Sequence, residues 1–339
     1  LKLEFYTTAV VEFCAMGAMR KLILASLALS AVSSVEWQPL APSAPWSARD
    51  RAAAATLKGS AVLTGGYDYY KHLNDVWSTE DGKTWTQLVD HAEWRKRSGH
   101  SLVAFQDHLW LLAGEDSPIG KSVYFNDVWA SHDGRKWKQL TAEAPWCKRT
   151  SAAAAVFNAQ VFVMGGVSES NVFLNDVWSS EDGKTWTELV KAAPWSARWG
   201  FGAAQLKEQL VIMGGSTDFG SGVTNDVWST MDGRSWHRLG DGGFLARMDF
   251  GLAASKAEIY LAGGASYEKF NDLWSFNGSQ WTQVLSDSAW APRSGLCAVL
   301  LPSGLGIFGG NGKYVQDMYN DVWSLRLNAS MDADFQLVV

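Results

Sequence analysis

The sequence predicts an all-β protein: a six-bladed β-propeller of four-stranded antiparallel blades, its ring closed by an N-terminal strand that completes the last blade. Three observations predict it. The tetrapeptide Asn-Asp-(Val/Leu)-Trp recurs six times, with its tryptophan at Trp77, Trp129, Trp178, Trp228, Trp274 and Trp323, a period of about fifty residues that marks a repeat architecture. Within each period the apolar runs are short and bounded by Gly, Asp and Asn, with no sustained helical periodicity. The first five copies are each followed by a second tryptophan (Trp85, Trp137, Trp186, Trp236, Trp281), whereas the sixth is not, and a matching Trp37 stands at the front in VEWQPL.

Taken in chain order, residues 1–18 read as upstream sequence. Residues 19–34, MRKLILASLALSAVSS, read as a secretory signal peptide. The pair Arg20-Lys21, an apolar stretch from Leu22 to Val32 and small residues at Ala31 and Ser33 follow the order such a leader needs, and the stretch is short for a membrane span. A secreted or lumenal location is therefore expected, with no membrane span once the leader is removed. The sequons at Asn277 and Asn328 fit that route. Without residues 1–34 the chain keeps 26 basic and 33 acidic residues; this mild acidity, with no basic block, argues against nucleic acid as a partner. Of the three cysteines, Cys147 and Cys297 can pair only if the fold brings them together.

Residues 35–327 form the propeller and 328–339 a C-terminal tail. Each unit parses into four strands; in the third, 151–160, 161–166, 175–180 and 186–190. A small pair closes each second strand: Gly65-Gly66, Ala113-Gly114, Gly165-Gly166, Gly214-Gly215, Gly263-Gly264 and Gly309-Gly310. Before each first strand stands an aromatic-x-x-Arg signature ending at Arg49, Arg97, Arg149, Arg198, Arg247 and Arg293. Trp37 is expected to open the outer strand of the last blade and to join DVWSLRL, residues 321–327. Radial packing of this kind protects sheet edges, where an open array would need polar caps.

These residues resemble the kelch-repeat family of β-propellers, the galactose oxidase/kelch type. The Gly-Gly pair, the aromatic of Asn-Asp-Val-Trp and the later Trp carry the resemblance over residues 35–327. Ala113 departs from it, as does Trp where many kelch repeats have Tyr. Galactose oxidase adds a domain with copper ligands, which is not expected here. The stretch NDVWSTEDGKTW, residues 74–85, also looks like the sialidase Asp-box, itself a structural turn. Its Asp81-Gly82, like Asp133-Gly134, Asp182-Gly183 and Asp232-Gly233, is hairpin chemistry, because Gly accepts positive φ.

Antiparallel order places the arginine loops and the loops after Gly-Gly on one face and the Asp-Gly turns on the other. The six arginines either ring the channel mouth to bind anions or stack within the scaffold, and a residue recurring in every blade suits the second reading. Positions that break the repeat are the better ligand candidates: His100, Trp199, Phe201 and Asp249 beside the arginine register, and Tyr67, Glu115, Tyr267 and Tyr314 in the loops after Gly-Gly. The six histidines share no register or metal-ligand spacing, so no metal and no cofactor are expected. The expected function is a monomeric secreted scaffold binding a protein or glycan. The alternative is a carbohydrate-active enzyme similar to the kelch-type sialic-acid epimerases, using Arg with an acid such as Asp249 or Glu115.

Overall fold

The computed structural model describes residues 36–117, 121–314 and 316–327. The expected leader, the upstream segment and the C-terminal tail lie outside them. Six antiparallel blades of four strands form, one per repeat; in the third, the short strand Arg149–Thr150 adds a fifth to the sheet, and a separate two-stranded hairpin follows the second strand of blade 2; no helix occurs among the described residues.

Blade 1 comprises Ala53–Leu57, Ser60–Tyr67, His72–Thr79 and Thr86–Val89. Blade 2 comprises Ser101–Phe105, His108–Leu112, Val128–Ser131 and Lys138–Thr141. Blade 3 follows with Ala153–Phe157, Gln160–Ser168, Phe173–Ser180 and Thr187–Val190. Its second strand therefore runs two residues past Gly165-Gly166, farther than the apolar run alone suggests. Blade 4 is built from Gly202–Leu206, Gln209–Met213, Asp226–Thr230 and His237–Asp241. Blade 5 has Gly251–Ala254, Ile259–Ala262, Leu273–Phe276 and Trp281–Leu285. Blade 6 takes Ser294–Leu301, Gly304–Asn311 and Val322–Leu325 from the end of the repeats and Trp37–Ala41 from the front.

That last pairing, with Trp37 opposite Leu325, closes the ring as the missing sixth tryptophan implies. The apolar core confirms closure by a count. Buried side chains divide into six clusters, each shared between two adjacent blades, including one between blades 6 and 1 built on Trp46, Trp85, Cys297 and Phe308. An open array of six units would have five such interfaces. Each interface is keyed by a near-perpendicular aromatic pair, for example Trp46 with Trp85 at 5.6 Å and Trp37 with Trp290 at 5.9 Å. A buried Trp removes ~200 Å² from water, so these pairs dominate the cohesion between blades.

The repeat motif is the machinery that ties one blade to the next. In Asn-Asp-Val-Trp of blade 1, Asn74 Nδ2 donates to the carbonyls of Ala92 and Trp94, pinning the loop that leads into blade 2. Asp75 accepts both terminal nitrogens of Arg49 and the indole N–H of Trp77. In blade 6, Asn320 makes the same bonds to Ala44 and Trp46, across the closure of the ring. Cys147 and Cys297 are both free thiols.

Candidate functional site

The six repeated arginines are scaffold. Their side chains are at most 1% exposed, and each forms an ion pair of 2.5–2.7 Å with the Asp of its own Asn-Asp-x-Trp. Each also donates to the carbonyl of the first residue of the small pair, as Arg49 does to Gly65. In blade 4, Asp226 is held down to a pKa of about 2 by its hydrogen bonds from Arg198, by the Arg198 charge and by bonds from Trp228 and Thr224, against the opposing effect of burial. A guanidinium closed in by its own carboxylate and carbonyl has no donor left for a ligand. Of the two readings of the arginine register, the geometry is that of the structural one.

Two residues beyond each arginine the chain reaches the channel. The six residues at this register are Arg51, Gly99, Ser151, Gly200, Asp249 and Gly295. All six adopt left-handed backbone conformations, with φ between 47° and 64°. Their amides form a closed circle. Gly99 donates to Arg51, Ser151 to Gly99, Gly200 to Ser151, Asp249 to Gly200, Gly295 to Asp249 and Arg51 to Gly295, over 2.7–3.1 Å. Because each N–H and C=O in the circle has a partner in a neighbouring blade, its backbone offers a ligand no strong group; recognition there falls to side chains.

Those side chains alternate with glycine around the circle, and packing explains why. A Cβ on Gly99 would sit 2.4 Å from Thr150 Oγ1 and 3.1 Å from Ser151 Oγ; one on Gly200 would sit 2.6 Å from Asp249 Oδ1; one on Gly295 would crowd Asp50 and Arg51. Each glycine thus makes room for the side chain of the next blade. Arg51, Ser151 and Asp249 stand around a cavity of about 150 Å³ at the mouth, whose wall also includes His100, Phe201 and Phe250.

Charge is concentrated at this mouth. Arg51, with its side chain 28% exposed, binds Glu115 at 2.7 Å. Glu115 belongs to a short hairpin, Glu115–Asp116 with Val123–Tyr124, that reaches over from blade 2. Asp116 in turn contacts His72 at 3.3 Å and Arg95 at 3.2 Å. Lys269 donates to the backbone carbonyl and side-chain oxygen of Asn311. Burial raises the pKa of Asp50, a trend that Arg51 and Lys269 oppose. Burial likewise pushes Asp249 up to about 6, with Arg51 and Lys269 opposing and Asp50 and Glu115 adding to the rise. His100 is held neutral, its pKa pressed to about 3 by burial and by Arg97. Thr64 Oγ1 donates to the Ala53 carbonyl, so His100 Nε2 is assigned as donor to Thr64.

Of the residues singled out in the sequence, the fold brings His100, Phe201 and Asp249 to the cavity and joins Glu115 to it through Arg51. Trp199 lies outside the cavity, its indole N–H bonded to the Asp218 carbonyl and its ring against Phe219. Tyr67 is tucked back, donating to the Tyr69 carbonyl. Tyr267 and Tyr314 stand at loop tips, 85% and 56% exposed. Sequence reading missed Arg51 and Ser151. The available signal was the register itself: two residues after each repeated arginine three blades carry Gly, and these two depart from it as Asp249 does.

Known proteins share this architecture. The KLHDC2/KLHL20/DRC7 Kelch-repeats domain model matches residues 20–166 and 95–264, together well over half of the chain. The chain belongs to the kelch-repeat family. Human Kelch-like protein 33 is 30% identical over 143 residues, 40% of this kelch chain and 25% of that protein; the match spans about a quarter of the relative's length. The solved structure described as "Structure of YjhT" superposes with a TM-score of 0.70 at 15% identity, covering 84% of this chain and 96% of that one, a likeness of fold.

Proposed function

We propose that this kelch propeller is a binding scaffold that recognises a protein partner through the loops of its arginine-bearing face. One observation carries the reading. Nine large apolar side chains are well exposed among the described residues, and seven of them lie in the loops of this face: Tyr69, Tyr70, Val172, Phe219, Leu245, Tyr267 and Tyr314. The other two, Met231 and Leu239, lie at or beyond an Asp-Gly turn on the opposite side and outer edge. Single exposed apolar residues are ordinary, but a one-sided concentration of aromatics marks an interaction surface. Loops on a rigid ring can carry such residues because the blade interfaces, not the loops, hold the fold together.

The test compares two surface variants in affinity capture followed by cross-linking and mass spectrometry. One combines Tyr70→Ser, Phe219→Ser, Tyr267→Ser and Tyr314→Ser; the other combines Met231→Ser and Leu239→Ser. A partner retained by the second variant and lost by the first supports the reading. Retention by the first variant, or loss by the second, overturns it. A glycan array run alongside screens the second ligand class that aromatic loops suit.

A further inference from the structure

The three side chains of the channel circle are not equally free. Arg51 is engaged by Glu115, and Lys269 by Asn311. Asp249 makes no hydrogen bond or close ion pair through its carboxylate, nor Ser151 any bond through its hydroxyl, among the described residues. Both line the cavity. The charged groups facing this mouth are Asp50, Glu115 and Asp249 against Arg51 and Lys269, an excess of one negative charge. Asp249 is also held in a left-handed backbone conformation, at φ 52°, in a circle where glycine serves at three of six places. A half-buried carboxylate with no hydrogen-bond partner, at a left-handed backbone position, weakens a fold unless something compensates it. Arg51 and Lys269 offset its charge in part, and a cation in the cavity would complete that compensation.

We propose that the channel mouth is a binding site for one primary ammonium group, ion-paired to the Asp249 carboxylate with the Ser151 hydroxyl as a further acceptor. The ammonium belongs to a lysine side chain of a partner protein or to a free alkylamine. This deepens the reading of the arginine-bearing face as the binding face, although a free amine would satisfy it with no protein partner.

Competing ligands fit less well. An anion would have to share Arg51 with Glu115, in a mouth whose facing charges sum to one negative. A hard divalent cation takes six or more oxygen ligands, and no group of three metal-ligating side chains gathers among the described residues. A guanidinium presents five donors in a planar fork, two of which pair side by side with one carboxylate; a single hydroxyl does not reach the three that point away from it. A cavity of about 150 Å³ is far below the ~300–1,000 Å³ of sites that enclose whole small molecules, yet it suits the end of one alkylammonium chain.

The experiment is an NMR titration of the full chain at pH 7.5 with n-butylammonium, n-butanol, butyrate and n-propylguanidinium. Saturable binding of n-butylammonium, with no saturation by butanol or butyrate, is expected. Asp249→Asn should weaken it by about tenfold or more, as loss of a half-buried ion pair entails, while a thermal melt confirms that the variant is folded. Ser151→Ala should weaken it less. Lowering the pH to 5 should weaken binding to the wild type and not to Asp249→Asn. A lysine capped at both backbone ends that binds tighter than butylammonium indicates a protein source; equal affinity indicates a free amine. Tighter binding of butyrate or propylguanidinium, no saturation by butylammonium, or unchanged affinity in Asp249→Asn would overturn the proposal. The aromatic-loop variant that tests partner capture should bind butylammonium as the wild type does, so either reading can fail alone.

Discussion

Asp249 carries the sharpest consequence of a single side chain. Its folded pKa is raised from 3.8 to about 6, so between those values the folded chain holds a proton that the unfolded chain has released. Stability from this group is therefore greatest below about pH 4, falls as pH rises towards 6 and is level above. At ~1.4 kcal/mol per pKa unit, the ionised carboxylate costs about 3 kcal/mol at neutral pH. Asp249→Asn, which keeps a residue tolerant of left-handed backbone, should raise stability by about 1–3 kcal/mol at pH 8 and change it little near pH 4. Urea midpoints at the two pH values measure this; a variant no more stable at pH 8 would show the carboxylate to be well solvated. The buried arginines behave in the opposite sense. Asp176→Ala would leave Arg149 closed in without its counter-ion and Trp178 without its acceptor, at a cost of about 3–5 kcal/mol by denaturant titration.

Within a blade, the turn between third and fourth strands shows how local chemistry serves neighbouring packing. In Ser180-Glu181-Asp182-Gly183-Lys184-Thr185-Trp186, Asp182 Oδ1 accepts the backbone N–H groups of Lys184 and Thr185, and Ser180 Oγ accepts that of Gly183. Those bonds hold the Asp182 carboxyl below its ordinary range, so its contribution is present above pH 4 and is lost as the pH falls through the depressed value. Positive φ makes glycine suitable here, but contact makes it necessary. A Cβ on Gly183 would lie 2.6 Å from Leu140 and 2.7 Å from Trp110, both in blade 2. Blade 5 uses Asn277-Gly278 instead, with Asn277 Oδ1 accepting from Ser279 and Gln280, and a Cβ on Gly278 meets nothing nearer than 3.6 Å. Gly183→Ala should thus cost about 2–4 kcal/mol, combining backbone strain with overpacking, and Gly278→Ala only about 1–2. Equal costs by thermal unfolding would remove the interblade role of the turn.

The ring as a whole depends on one short N-terminal strand. Trp37–Ala41 covers the edge of Val322–Leu325, Trp37 packs on Trp290, and Asn320 holds Ala44 and Trp46. Contacts between chain ends span the greatest sequence separation in the molecule, so they close at the greatest loop entropy. Trp37→Ala should cost about 3–5 kcal/mol. Deletion of residues up to 41 should expose an unpaired edge and produce concentration-dependent association in light scattering. A truncated chain that stayed monomeric with an unchanged melting temperature would show that five complete blades hold the sixth without the strap.

The repeat, its four strands, its two faces and its closure were legible in the residues because each depends on local periodicity or on a motif copied six times. The structural role of the arginines was legible for the same reason: six identical copies serve six identical interfaces. The site was only partly so. His100, Phe201 and Asp249 stood out by departing from the repeat, whereas Arg51 and Ser151 lay unnoticed at the same register. What makes that register a site is a circle of backbone bonds joining residues some fifty apart in sequence, with each glycine yielding space to the side chain from the next blade. Spacing along a chain carries no information about which copies face one another across a channel; only closure of the ring brings Asp249, Ser151 and Arg51 around a single cavity.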